Sequence, residues 1–179
     1  HYLPVSIKDL KKDDFAMVMG YPGGTTRFMT SYEVDEAMKI TNANRVKIRG
    51  EKQDMWMADM MADQKVNIQY SSKFAGSSNY WKFSIGQNEG LERLRTAATK
   101  AAFEADFMKW VNADKARVEK YGNALTLIKT AIEGRAEKYN AQQYLNETFR
   151  SSCELITFSG QFSALEDAIK EGNADRVKD

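Results

Sequence analysis

The chain has 179 residues, of which 42% are apolar and 28% charged, with 26 Lys and Arg against 25 Asp and Glu for a net charge of +1. That balance argues against a phosphate-backbone binder, so no nucleic acid partner is expected. A single histidine, His1, and a single cysteine, Cys153, leave too few ligands for a His/Cys zinc site, no imidazole held in place for a catalytic triad and no internal disulfide.

Both prolines, Pro4 and Pro22, fall in the first 22 residues. There a polar run, Lys8 to Asp14, leads into Phe15-Ala-Met-Val-Met19. An apolar run of five bounded by turn signals predicts a buried strand. Gly20-Tyr-Pro-Gly-Gly24 closes it and marks a candidate hinge. Helix signals dominate afterwards. Thr30-Ser-Tyr-Glu33 has capping-box spacing ahead of Val34, Ala37 and Met38. Asn44 is the candidate start of a second helix running through Trp56, Met57, Met60 and Met61. Asp63 is a candidate N-cap for a third, carrying Val66, Tyr70, Phe74, Trp81 and Ile85. A fourth is predicted from Leu91 to Trp110. Asn112-Ala-Asp114 reads as a break and cap before the stripe Val118, Tyr121, Leu125, Ile128 and Ile132. Another helix is predicted from Ala136 to Thr157, and a last one after Gly160 with Phe162, Leu165 and Ile169. The fold class is therefore mainly α, a multi-helix array preceded by one or two β-strands. No apolar run approaches the roughly 18 residues needed for a membrane span, and the start has no signal-peptide pattern.

Two clusters invite a functional reading. The methionines of Met55-Trp-Met-Ala-Asp-Met-Met61 suit a soft-metal or peptide face, but methionines at helical spacing read first as core filler. Cys153 likewise reads as a small buried apolar residue. The stretch Gly76-Ser-Ser-Asn-Tyr-Trp-Lys82 is less ordinary, because a mid-helix glycine costs about 1 kcal/mol against alanine. At about 100° per residue, Tyr70, Phe74, Trp81 and Ile85 share one face, the predicted core face. Ser72, Ala75, Gly76, Asn79, Phe83 and Gly86 share the opposite one. That small-residue face either receives a second helix, with Asn79 bonding a backbone group, or walls a cleft in which Asn79 meets a ligand. A carboxamide suits the second role: its oxygen accepts from an ammonium while its NH2 donates elsewhere.

Three segments carry a resemblance. Phe15-Ala-Met-Val-Met-Gly-Tyr-Pro-Gly-Gly-Thr-Thr-Arg27 resembles the Gly-Tyr-Pro-Gly-x-Thr-x-Arg segment of bacterial dipeptidyl-peptidases of the chymotrypsin-fold serine type, the family of dipeptidyl-peptidases seven and eleven. Ser78-Asn-Tyr-Trp-Lys82, followed by Ile85-Gly86, is similar to that family's Ser-Asn-Tyr-Trp-Lys motif. Trp110-Val-Asn-Ala-Asp114, with Tyr121-Gly122 after it, resembles a third segment. Together the three span about two-thirds of the chain in family order.

The resemblance implies a double β-barrel serine protease with a helical domain inserted into it as a cap over the active-site cleft. Residues 1–28 would end a barrel segment, and residues 29–179 would form part of the helical cap. The family's catalytic His, Asp and Ser would lie outside this chain, which therefore supplies no catalytic residue, no metal ligand and no cofactor site. The implied reaction releases dipeptides from the free N-terminus of peptides. Asn79 would bind the substrate α-amino group, with Gly76, Tyr80 and Phe83 as further candidate wall residues. Peptide substrates and the remaining barrel domain would be the partners, a homodimer the implied assembly of the whole protein, and the periplasm or cell surface its location. The alternative from the residues alone is a non-enzymatic helical interaction module using the Ala75-Gly76-Asn79 face.

Overall fold

The structure is a computed structural model that describes residues 2, 4–21, 23–150 and 152–172. His1 and Pro22, on which two of the sequence readings fell, lie outside the described residues. Among the described residues there is no β-strand: helices begin at Ser31, and the segment before them is irregular. The strand expected at Phe15–Met19 is not shown among the described residues. Phe15 and Val18 stand 88% and 93% exposed. An extended segment needs a neighbour to complete its backbone ladder, and no other described segment supplies one.

The helical array starts where the sequence predicts. The Thr30 hydroxyl accepts from the Glu33 N–H, and the Glu33 carboxylate accepts from the Thr30 N–H at 2.7 Å, completing a capping box for α1 (Ser31–Glu36). Glu104 of α4 (Thr96–Asn112) then ties this end down, accepting from the Ser31 N–H and hydroxyl at 2.6 Å each. The chain does not stop before Asn44. A π-helical segment, Ala37–Asn42, carries α1 directly into α2 (Ala43–Ala62). Wider winding rearranges the carbonyl ladder, and the Met38 carbonyl accepts from Asn88 at 3.2 Å. Asn42 is 1% exposed and donates to Gln87 and Asn88 at 2.9 and 2.7 Å. Asn44, expected as a cap, is buried inside the helix and donates to Asn140 at 2.7 Å.

Asp63 breaks the chain and caps α3 (Gln64–Arg93), its carboxylate accepting from the Lys65 N–H at 2.7 Å. With one residue between them, α2 and α3 fold back as an antiparallel hairpin. Trp56 meets Tyr70, Arg49 meets Ser77, Val46 meets Trp81, Arg45 meets Ser84 and Asn42 meets Asn88. Trp81 sits in this seam as its position on the core face predicts, donating its indole N–H to the Val46 carbonyl at 3.0 Å. Gly50 lets it approach, since a Cβ there would lie 3.3 Å from the Trp81 Nε1.

Later boundaries shift. α3 runs past Leu91 and ends where Arg95 turns left-handed at φ 48°, so α4 begins at Thr96. Asp114 caps α5 (Lys115–Tyr121) as predicted, accepting from the Arg117 N–H at 3.0 Å. The stripe from Val118 to Ile132 is nevertheless two helices, because the chain turns at Gly122 and Asn123. A Cβ on Gly122 would lie 2.5 Å from the Val118 carbonyl oxygen, so only glycine fits that turn. α6 (Ala124–Leu145) passes without interruption through Ala136 and ends in a second π-helical segment, Asn146–Arg150. α7 (Glu154–Lys170) passes through Gly160, which the sequence reading took as a break.

The chain as a whole exposes 14,761 Å², against about 8,800 Å² expected for a compact monomer of this mass, and the irregular segment before α1, where Phe15, Val18 and Phe28 are about 90% exposed, carries part of the excess. The buried apolar residues are few, with Val34, Met60, Val111 and Ala168 among them. Core filling accounts for Met60 alone in the methionine cluster, since Met55, Met57 and Met61 are exposed.

Candidate functional site

The buried side of the α2–α3 hairpin is polar. Along α2, Arg45, Arg49, Lys52 and Trp56 recur at helical spacing and turn inward. Across from them α3 offers Ser77, Ser78 and Ser84, small enough to admit arginine side chains. Arg45 donates to the Ser84 hydroxyl at 3.2 Å and Arg49 to the Ser77 carbonyl at 3.4 Å. Both arginines converge on Glu147 of the second π-helical segment. Arg49 Nε lies 2.7 Å and Arg45 Nε 3.2 Å from its two carboxylate oxygens.

Glu147 is 5% exposed. Burial alone would push its carboxyl group up, but hydrogen bonds and charge from Arg49, then Arg45, outweigh this and hold it below the ordinary carboxylate range. Above this clamp the Tyr80 ring faces both guanidinium groups, at 5.5 Å from Arg49 and 5.7 Å from Arg45. Lys52 continues the stripe. It is 8% exposed, donates to the Ser152 hydroxyl at 2.7 Å and lies over the Trp56 ring at 5.0 Å. Burial first, then the Arg49 charge, pushes its ammonium below the usual lysine range, opposed by Glu147.

A cavity of about 600 Å³ opens beside this network, between α2, α3 and the start of α7. Arg49, Lys52, Trp56, Tyr70, Gly76 and Ser77 form its inner wall, while Arg150, Cys153 and Glu154 close the other side. Cys153 is half-buried here, a wall residue rather than core filler. Sequence reasoning missed this site because it sought apolar periodicity. The basic residues Arg45, Arg49 and Lys52 at spacings of four and three were the available signal.

The four sequence-predicted residues divide. Gly76 and Tyr80 line the cavity; Asn79 and Phe83 do not. The face carrying them, with Ser72, Ala75, Gly76 and Gly86, is exposed along its whole length. No neighbouring atom lies within 4 Å of a Cβ built on Gly76. The Asn79 carboxamide has no hydrogen-bond partner among the described residues. Close helix packing, one of the two uses considered for this face, does not occur among the described residues. No cluster of His, Cys, Asp or Glu among them could hold a metal ion, and no described helix is long and apolar enough to cross a membrane.

The model of the peptidase S46 family matches residues 1–179. The chain belongs to the peptidase S46 family. It is 39% identical over 166 residues to dipeptidyl-peptidase 7 of Porphyromonas gingivalis, covering 92% of this chain and 23% of that protein. It is 34% identical over 166 residues to an Asp/Glu-specific dipeptidyl-peptidase of Flavobacterium psychrophilum, covering 93% of this chain and again 23% of the relative. The chain thus spans about a quarter of the length of these peptidases. Among solved structures it resembles that of Porphyromonas endodontalis DPP11 in complex with the dipeptide Arg-Glu. The TM-score is 0.67 at 29% identity, with 89% of this chain and 23% of the other covered.

Proposed function

We propose that this chain is the helical portion of a dipeptidyl-peptidase and lies over the active-site cleft of the whole protein. Names and sequences of the S46 relatives support that activity, and the fold likeness is to a member holding a dipeptide. Residues 1–28 form the end of a barrel segment and residues 29–179 part of the cap. The exposed apolar run Phe15–Met19 supports this division, since it is patterned for a sheet that the described residues do not complete. Serine-type chemistry, a periplasmic or cell-surface location and a homodimeric whole protein belong to the same reading and rest on the family motifs.

The observation that carries the proposal is the open face of α3. A helix interior made of Ser72, Ala75, Gly76 and Asn79 leaves a shallow surface with one unpartnered carboxamide. In the whole enzyme the Asn79 Oδ1 accepts from the substrate α-ammonium while Nδ2 donates to a second group. Gly76 lets the peptide backbone approach, and Tyr80 and Phe83 flank it. Catalytic Ser, His and Asp come from barrel segments on either side. The cap contributes positioning: anchoring the amino terminus fixes which peptide bond reaches the nucleophile. Family membership favours this reading over a non-enzymatic interaction module.

Asn79→Ala in the full-length protein tests it. Loss of a charge-assisted hydrogen bond lowers kcat/KM on dipeptidyl substrates with a free amino terminus by about tenfold or more. N-terminally acetylated substrates, already poor, are insensitive to the change. Unaltered kinetics on free-amine substrates would overturn the assignment.

A further inference from the structure

The cavity between α2, α3 and α7 holds a buried cation and a buried hydroxyl, each short of a partner. Among the described residues no carboxylate lies within ion-pair distance of Lys52; the nearby Glu147 is paired with Arg45 and Arg49. Around the ammonium are the Ser152 hydroxyl, the Trp56 ring, the like charge of Arg49 and, farther off, the Glu147 carboxylate. The Ser77 hydroxyl is buried without any hydrogen-bond partner, although its residue is 6% exposed. Such groups are costly to desolvate unless something completes them.

The remaining walls say what that would be. Among the described residues the lining carries four basic side chains, Arg49, Lys52, Lys73 and Arg150, against one acidic, Glu154. Lys73 is paired with Glu154 at 2.6 Å, which leaves the excess at Lys52 and Arg150. Trp56 and Tyr70, edge to face at 5.7 Å, supply an apolar wall beside the cations. The volume of about 600 Å³ falls within the range of small-molecule sites, roughly 300 to 1,000 Å³.

We propose that this cavity, which borders the Asn79 face at Gly76 and Tyr80 but does not include Asn79, is a second binding site for a small organic anion. Its carboxylate meets Lys52, and its apolar body lies on Trp56 and Tyr70. Arg150 stands at the exposed edge and steers the anion inward.

Calorimetric titration of the full-length protein with N-acetylphenylalanine, its neutral amide and inorganic phosphate tests this. The acid binds, and the amide binds at least about tenfold more weakly, as expected when a charge-assisted contact is lost. Lys52→Met weakens the acid by a similar factor, and Arg150→Gln, on the exposed edge where folding is not at stake, weakens it by about threefold or more through lost charge attraction. Asn79→Ala leaves this binding unchanged, which separates the site from the peptide anchor. Equal affinity for acid and amide, or binding indifferent to both cavity variants, would overturn the proposal. So would phosphate binding alone or no heat with the acid.

Discussion

Arg49 Nε and Glu147 Oε2 lie 2.7 Å apart across 98 residues of sequence, and this contact fastens the π-helical segment that follows α6 to the middle of α2. Arg45 shares the same carboxylate, so one buried acid balances two part-buried guanidinium groups. Replacing Glu147 by Gln leaves both without their counter-charge. Breaking a buried pair from one side costs about 3 kcal/mol. Urea denaturation monitored by circular dichroism should show the midpoint falling without a change in helix content at zero denaturant.

The same carboxylate sets a pH dependence. Its folded pKa is lowered by Arg49 and Arg45, so folding favours the ionised form. The stabilisation is fully present above the ordinary carboxylate pKa of the unfolded chain and is lost as pH falls through the lower, folded value. Melting temperatures between neutral and acid pH should therefore fall more steeply for the wild type than for Glu147→Gln. Parallel curves would remove Glu147 as the source.

The parts of this fold readable from sequence are those governed by local chemistry. Thr30, Asp63 and Asp114 cap helices because a short side-chain oxygen before a helical run has one good use, accepting from orphaned N–H groups. Trp81 lies in the α2–α3 seam because its aromatic neighbours repeat at helical spacing. What stayed hidden depends on partners distant in sequence. Asn44 has every property of a cap, yet Asn140 and the π-helical turn before it keep it inside a continuous helix. Phe15–Met19 has a strand's pattern but no described neighbour to pair with. The seam itself is polar, so apolar periodicity passes over Arg45, Arg49 and Glu147. At the candidate anchor, the offset of Asn79 from Trp81 puts the two on opposite faces, and that much the sequence shows; that the Asn79 face stays open does not follow from spacing. That Tyr80 turns instead toward two arginines does not follow from spacing.

Asp63 makes the one-residue link between α2 and α3 a sharp prediction. It adopts an extended conformation, φ −140° and ψ 119°, and its carboxylate accepts from the Lys65 N–H. Asp63→Ala removes that acceptor and costs about 1 kcal/mol. Asp63→Asn and Asp63→Ser retain a capping oxygen and should recover most of it, a pattern that chemical denaturation of the three variants would resolve.

Gly76 separates stability from function. It sits inside α3, and a Cβ built there meets nothing within 4 Å. Gly76→Ala therefore gains helix propensity without a clash and should stabilise the protein by about 0.5 to 1 kcal/mol. If the open face is where a peptide backbone approaches, the added methyl group stands in its path. The full-length variant should then melt higher while its KM for free-amine dipeptidyl substrates rises several-fold, with kcat less affected. A helix that merely tolerates glycine would show the first change without the second. Stabilisation with unaltered KM would show that the peptide does not come close at this turn, and the Asn79 anchor, one turn along the same face, would lose its structural setting.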